Sequence, residues 1–230
     1  MTADNIPKHV GLIIDGNRRW AKKHGLPTYE GHLAGYETLK NLILTLVNEG
    51  VEYVSVYGFS TENWKRSQDE VKNLMGLVLR VLTSDMAVLT ENDIKLKVLG
   101  SREGLNDRII KAIDNAEELT KDNKTGTFAL CFNYGGQLEI VDAIKKIIQS
   151  GVPADEVNVD MVSQNLYAPE IPPVDLVIRT SGEKRLSNFM LWRVEYSEFT
   201  FVDKLWPDMT SDDISEIIQE YTKRHRRIGK

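Results

Sequence analysis

The feature that most limits what this chain can fold into is a series of short, almost uninterrupted apolar runs set between longer helical patterns. The runs cover residues 9–14, 53–57, 94–99, 128–132, 174–178 and, more weakly, 199–202. A strand that is apolar on both faces needs a sheet covered on both faces, and helices between successive strands supply that cover. The alternation predicts an α/β fold, with a central, mostly parallel six-stranded sheet flanked by helices. Leu39, Leu42, Ile43, Leu46 and Val47 fall at i, i+3, i+4, i+7 and i+8, one face of a helix, and Gly50 follows where a C-cap belongs. From Glu70 to Thr90 the apolar residues cover more than one helical face. That segment needs apolar company on several sides, as a core helix or as one wall of an apolar tunnel between sheet and helices. Pro169, Pro172 and Pro173 mark a loop after a helical stretch near 158–166, and a last helix runs from about Asp212 to Arg224. Neither a Ser/Gly-rich linker nor a repeat interrupts the sequence, so 1–230 reads as a single domain.

Charge and cysteine content exclude several function classes. A net charge of −5 at pH 7 argues against a general nucleic-acid binder, so any anion must be held by local clusters of Arg and Lys. Cys131 is the only cysteine and lies in an apolar run, which removes disulfide frameworks and cysteine-based metal sites. Met1 to Lys8 lack the apolar core of a signal peptide, and no run approaches the roughly 20 apolar residues of a membrane span. The expectation is a cytoplasmic protein that is free to touch a membrane peripherally.

The chemistry gathers behind the strands, where open parallel sheets bind ligands. Asp15-Gly16-Asn17-Arg18-Arg19-Trp20 follows the first run and combines a glycine, two guanidiniums and a carboxylate. The first two suit a phosphate; the carboxylate repels one unless a divalent cation lies between, as when magnesium is shared by a protein carboxylate and substrate phosphates. A helix-capping Asp would explain the acid but not the arginines. Phe59-Ser60-Thr61-Glu62-Asn63-Trp64-Lys65-Arg66 follows the second run with more donors, acceptors and charge than a turn requires. Asn133-Tyr134-Gly135-Gly136 reads as a tight strand-to-helix turn. Arg179 to Asn188, with Arg185, Leu186 and Ser187, makes a second anion site after the 174–178 run. Two anion sites, a carboxylate suited to magnesium and an apolar cavity suggest two phosphorylated, partly hydrocarbon substrates.

These residues resemble the cis-prenyltransferases, typified by bacterial undecaprenyl diphosphate synthase. The resemblance runs from His9 to Gly229 and rests on the stretches above together with Gly31-His32, Gly35, Trp192, Glu198 and Leu205-Trp206-Pro207. It implies a homodimeric α/β enzyme that adds isopentenyl diphosphate to an allylic diphosphate such as farnesyl diphosphate, head to tail, making each new double bond cis while the product grows in an apolar tunnel. By the same resemblance Asp15 is the carboxylate at the Mg2+-linked diphosphate. Gly16, Asn17, Arg18, Arg19 and His32 bind the allylic diphosphate, with Trp20 beside it. Ser60, Thr61, Glu62, Trp64 and Arg66 match the second substrate-contacting stretch, and Asn63 the position usually assigned as proton acceptor. Arg179, Arg185, Leu186 and Ser187 match the isopentenyl diphosphate site, Glu198 the second magnesium ligand, and Arg227-Ile228-Gly229 a terminal R-x-G that reaches across the dimer. A neutral amide is a poor base, so orienting a water or a substrate oxygen is the more chemical role for Asn63.

Departures from the family pattern fall at the allylic site, where Thr28 replaces a frequent arginine and Arg18 a commoner glycine; both bear on the preferred starter. The all-helical prenyl synthases are disfavoured, because Asp212, Asp213 and Glu216 read better as first-turn acids of the last helix. A non-catalytic accessory subunit would be expected to lack Asp15 or the arginines, and an irregular, lavandulyl-type synthase departs in the isopentenyl half, which looks intact here. The 70–100 region carries no insertion, which favours a medium-length product near that of bacterial carrier lipids over a very long one, with short-chain synthesis as the alternative.

Overall fold

The computed structural model describes residues 5–224. The chain runs β1 (His9–Ile13), α1 (Asn17–Lys23), α2 (Thr28–Asn48), β2 (Tyr53–Ser60), α3 (Gln68–Val81), α4 (Ala87–Glu91), β3 (Ile94–Leu99), α5 (Asp107–Thr120), β4 (Gly126–Tyr134), α6 (Gly136–Gln149), α7 (Val159–Asn165), β5 (Leu176–Arg179), β6 (Glu198–Phe201) and α8 (Ser211–Thr222). The strands form one six-stranded sheet in the order β3-β4-β2-β1-β5-β6, and every pairing is parallel. The sheet is therefore wholly rather than mostly parallel. Alternate residues feed two apolar layers. Val10, Leu12, Val54, Val56, Phe128 and Leu130 pack with α2, α3, α5 and α8, whereas Ile13, Ala129, Cys131 and Val177 face Phe189 and Met190.

The strand order changes direction at β1. The connection from β1 leads toward β2, β4 and β3, while β5 and β6 lie on its other side. Such a switch point opens a crevice between the carboxyl ends of the diverging strands, here those of β1 and β5. Ile13 pairs with Arg179, so Asp15 and Thr180 emerge side by side.

The segment expected to be helical from Glu70 to Thr90 divides into α3 and α4. Ser67 caps α3 by accepting from the Glu70 N–H, and the helix ends at Leu82, before the turn that presents Asp85 to the hydroxyl of Tyr36 on α2. A tertiary hydrogen bond, rather than a Gly or Pro, marks this break.

His9 on β1 is fully buried, with Nδ1 2.8 Å from the Pro172 carbonyl and Nε2 2.7 Å from the Ser55 hydroxyl. Burial lowers its pKa from 6.5 to about 4, against the opposing pull of the Pro172 carbonyl. The unfolded chain therefore binds the extra proton first as pH falls, so this group's stabilisation is present above pH 6.5 and is lost as pH falls from 6.5 to about 4. The loss is about 3 kcal/mol by the linkage arithmetic. Urea unfolding at stepped pH checks it: a His9→Asn variant should show a shallower decline across that window than the wild type.

Candidate functional site

Asp15 stands at the crevice in a setting built by glycine. Gly16 has φ +115, and a Cβ there would meet Leu205 at 3.1 Å, so neither its conformation nor its surroundings admit a side chain. On α2, a Cβ at Gly35 would lie 2.2 Å from Asn17 Oδ1, which lets the start of α1 press against α2. The Asp15 carbonyl accepts from the Thr180 hydroxyl at 2.7 Å and from the Trp206 N–H at 3.1 Å. Its carboxylate stays one-third exposed, with Oδ2 3.1 Å from Arg179 Nη2 and Oδ1 3.5 Å from Arg19 Nη2.

Arg179, 3 % exposed, also donates to the Ser187 hydroxyl at 2.9 Å and to the Arg185 carbonyl, so β5 fixes the loop that carries the second group of cations. Arg19 donates to the Ser181 carbonyl at 3.1 Å and pairs with Glu183 at 3.4 Å. The buried side-chain atoms without a partner among the described residues are Asn17 Oδ1, Arg179 Nε and Ser181 Oγ. All three lie around Asp15. Buried polar atoms are rarely left unpaired, and their concentration here marks a place built for something from outside.

Behind β2, Asn63 and Ser60 form a reciprocal cap in which the Ser60 N–H donates to Asn63 Oδ1 at 3.1 Å. The Asn63 carbonyl oxygen is thus already engaged. Glu62 accepts from Asn188 Nδ2 at 3.0 Å. Burial alone would raise the Glu62 pKa; hydrogen bonds from its own backbone, Asn188, Ser60 and Thr61 hold it below the usual carboxylate value. Glu70 Oε1 lies 2.8 Å from Arg66, 3.3 Å from His32 Nε2 and 3.9 Å from Arg18. Burial opposes its ionisation, but Arg66, His32 and Arg18 together lower its pKa. Burial lowers the His32 pKa despite Glu70, which favours a neutral imidazole donating to that carboxylate.

These groups line two joined hollows and a third, apolar one. A cleft of about 580 Å³ is bounded by Asp15, Asn17, His32, Ser60, Glu62, Asn63, Arg66, Arg179 and Ser187. Beside it, a hollow of about 740 Å³ is lined by Asp15 to Arg19, His32, Arg66, Glu183 and Arg185. An apolar cavity of about 90 Å³ shares Ile14, Asn17, His32, Gly58 and Leu74 with the cleft and continues between the sheet, α2, α3 and α4. A cavity near 150 Å³ takes a benzene, so a prenyl tail enters only if the walls part.

Several sequence-predicted residues stand elsewhere. Trp20 turns from the cleft to donate to Asp208 at 2.6 Å and lies against His24. Trp64 donates to Asn133 Oδ1 at 2.8 Å and packs edge-on against Phe59. Thr61 bonds Glu62, and Leu186 packs on the smaller apolar layer. Glu198 opens β6 at the level of Leu176 and Val10, roughly 15 Å from Asp15 along the strands, and pairs with Arg224 at 3.1 Å. Arg227 and Gly229 lie outside the described residues. Sequence reading missed Glu70, Lys22 and Tyr57 as lining or tethering groups. Glu70 and Lys22 follow Arg66 and Arg18 at i+4, a signal that was available.

The donor set at Asp15 fits a magnesium ion. No group of three His, Cys, Asp or Glu side chains among the described residues could cage a metal alone. One carboxylate beside an anion pocket is the arrangement in which Mg2+ takes its remaining oxygens from substrate phosphates and water.

Comparison with known proteins bears on the same residues. A family model described as "Putative undecaprenyl diphosphate synthase" matches residues 13–229. The isoprenyl transferase of Thermotoga maritima is 44% identical over 226 residues, covering 97% of each chain. Among solved structures, lavandulyl diphosphate synthase from Lavandula x intermedia, in complex with dimethylallyl diphosphate, superposes with a TM-score of 0.94 at 35% identity over 99% of this chain and 100% of its own. A "probable undecaprenyl diphosphate synthase" from Campylobacter jejuni gives 0.84 at 33% identity over 98% and 100%.

Proposed function

The chain belongs to the undecaprenyl diphosphate synthase family of cis-prenyltransferases, the isoprenyl transferases, and on that premise we propose that it condenses isopentenyl diphosphate units onto an allylic diphosphate. The observation that carries the reading is the gathering of Asp15, Arg18, Arg19, Arg66, Arg179 and Arg185 around unpaired buried polar atoms, at the mouth of an apolar cavity. In this reading Gly16, Asn17, Arg18, Arg19, His32 and Arg66 bind the allylic diphosphate, with Ser60 and Glu62 at the cleft wall. Arg179, Arg185 and Ser187 hold isopentenyl diphosphate. Trp20, Thr61, Trp64 and Leu186 act through the loops they brace.

Asp15 would hold Mg2+ together with diphosphate oxygens, and the ion when bound supplies positive charge against the departing diphosphate. The rest is done by the chain. The allylic C–O bond breaks with its electron pair leaving on the diphosphate, where Arg19 and Arg66, fixed in advance by Glu183 and Glu70, stabilise the growing charge. The isopentenyl double bond supplies the electrons of the new C–C bond, and a proton then leaves the former isopentenyl unit. A diphosphate oxygen is the better acceptor, because Asn63 is neutral and its oxygen is held by the Ser60 N–H.

Within one chain Glu198 and Asp15 are too far apart to share an ion. The assignment of Glu198 as a ligand therefore depends on a homodimer in which a second subunit brings it to the cleft, as it does for Arg227 and Gly229. The whole of 1–230 acts as one catalytic domain in this reading. No helix among the described residues is long and apolar enough to cross a membrane; a cytoplasmic enzyme that meets the bilayer peripherally to release a medium-length product suits that. The likeness to the lavandulyl structure supports a second reading, irregular coupling of two allylic units.

One assay separates these readings. Radiolabelled isopentenyl diphosphate with Mg2+ and farnesyl, geranyl or dimethylallyl diphosphate should give labelled polyprenyl products resolved by chromatography. Failure of every starter to incorporate label sinks the condensation reading, and a two-unit product from labelled dimethylallyl diphosphate incubated without isopentenyl diphosphate replaces it with the irregular one.

A further inference from the structure

The double glycine after β4 has no part in the proposed chemistry, and its surroundings show what it makes room for. A Cβ on Gly135 would lie 2.8 Å from Thr61 Oγ1 and 2.9 Å from Asn188 Nδ2, and one on Gly136 would lie 3.0 Å from the Asn188 carbonyl oxygen. Thr61 belongs to the loop that follows β2, and Asn188 to the loop that follows β5. Both loops of the proposed substrate site thus rest on one turn that belongs to neither. In the sheet β1 and β2 separate β5 from β4, so the loop after β5 crosses the ends of two strands to reach this seat.

Asn188 ties the three segments together. Its carbonyl accepts from the Gly136 N–H at 2.8 Å and its Oδ1 from the Gln137 N–H at 2.8 Å, which gives partners to the first two N–H groups of α6. Its Nδ2 donates to Glu62 Oε1 at 3.0 Å. A backbone N–H only donates and a carboxylate only accepts, so one orientation of the amide serves both. The backbone leaves its ordinary range to present these groups: Ser187, Asn188 and Met190 have φ of +51, +68 and +43, a region that residues other than glycine enter at a cost. Strain of this kind persists where the surrounding contacts over-determine it. Glu62, Ser187 and Asn188 share the wall of the cleft.

The geometry points to Asn188, seated on the Gly135-Gly136 turn, as a positioning residue that fixes the spacing of the two substrate loops and with it the alignment of the two carbons that join. This inference rests on the proposed condensation and adds to it the part that aligns its substrates. The cations that bind each diphosphate keep their own tethers without Asn188, since Arg179 bonds Ser187 and Glu70 bonds Arg66. What loosens is the alignment, and a misplacement of about 1 Å costs as much as roughly a hundredfold in rate. A plain cap on α6 would be felt in stability alone.

Two variants open the joint from opposite sides. Asn188→Gly removes the amide, keeps the carbonyl bond and suits the left-handed backbone; Gly135→Ala, at φ −154 where any residue fits, forces the Thr61 and Asn188 side chains away. The first condensation is followed in a single turnover, with the full chain in excess over farnesyl diphosphate, Mg2+ present and labelled isopentenyl diphosphate varied, while urea unfolding reports the fold. Each variant should lower the limiting rate by about tenfold or more, with the half-saturating concentration of isopentenyl diphosphate changed by less than about threefold. The double variant should fall within about twofold of the slower single one, because both break the same link. A folded Asn188→Gly chain that keeps more than about half of the wild-type rate overturns the inference. So do single effects that multiply in the double variant, and a raised half-saturating concentration at an unchanged rate, which makes Asn188 a substrate contact. If one variant fails to fold, the other decides; if both fail, the joint is a clamp for the fold and the inference falls. A wild type that incorporates no label defeats the condensation reading instead, and the two failures cannot be confused.

Discussion

Replacing Asp15 by Asn should lower turnover by about 10³-fold or more, equivalent to roughly 4 kcal/mol of barrier, while the protein still folds. Asparagine is the informative variant. Its amide oxygen can still accept from Arg179, whose guanidinium is almost buried and would lose that hydrogen-bond acceptor in Asp15→Ala. What asparagine cannot do is carry the negative charge that draws a divalent cation to a pocket whose other acid, Glu183, is already paired with Arg19 and Arg185. The measurement is steady-state condensation across a Mg2+ titration, beside a urea melt. A folded Asp15→Asn enzyme that keeps more than about a tenth of wild-type turnover removes the metal-linked role and leaves Asp15 as an orienting partner of Arg179 and Arg19.

Strand ends were legible in the sequence because they are local. The five stronger apolar runs and the 199–202 run all became strands, and Asp15 to Arg19 and Arg179 to Ser187 came together because β1 and β5 are neighbours. The sequence could not give that adjacency, since strand order depends on pairings across more than a hundred residues. Local pattern also failed where a partner from another element decides the outcome. The apolar density of 70–90 reads as one helix, and the turn at Asp85 exists because Tyr36 reaches it from α2. Trp20 and Trp64 fall in the motif stretches, yet their indole N–H groups are taken by Asp208 and Asn133 rather than by the cleft. Glu198 illustrates a different limit: membership in a motif says nothing about which end of a parallel sheet a residue occupies.

The largest effect on stability should come from a pair that no spacing announces. Glu139 on α6 and Arg193 are buried, 0 % and 3 % exposed, and their side chains meet at 2.5 Å. Glu139 also accepts from the Tyr134 hydroxyl and from the Tyr167 N–H, while Arg193 donates to the carbonyls of Tyr167, Ala168 and Ile171. The network fastens the β4–α6 turn to the loop before β5. Glu139→Leu leaves Arg193 as an uncompensated charge in the core and should cost about 3–5 kcal/mol, a large share of the roughly 5–15 kcal/mol that holds a protein of this kind together. Adding Arg193→Met removes the stranded charge, so the double variant should recover part of that loss even though more native contacts are gone. Urea unfolding of the two single variants and the double variant completes the cycle. If the double variant is less stable than Glu139→Leu, the loss comes from the carbonyls that Arg193 tethers, and the pair matters as a brace rather than as a balance of charge.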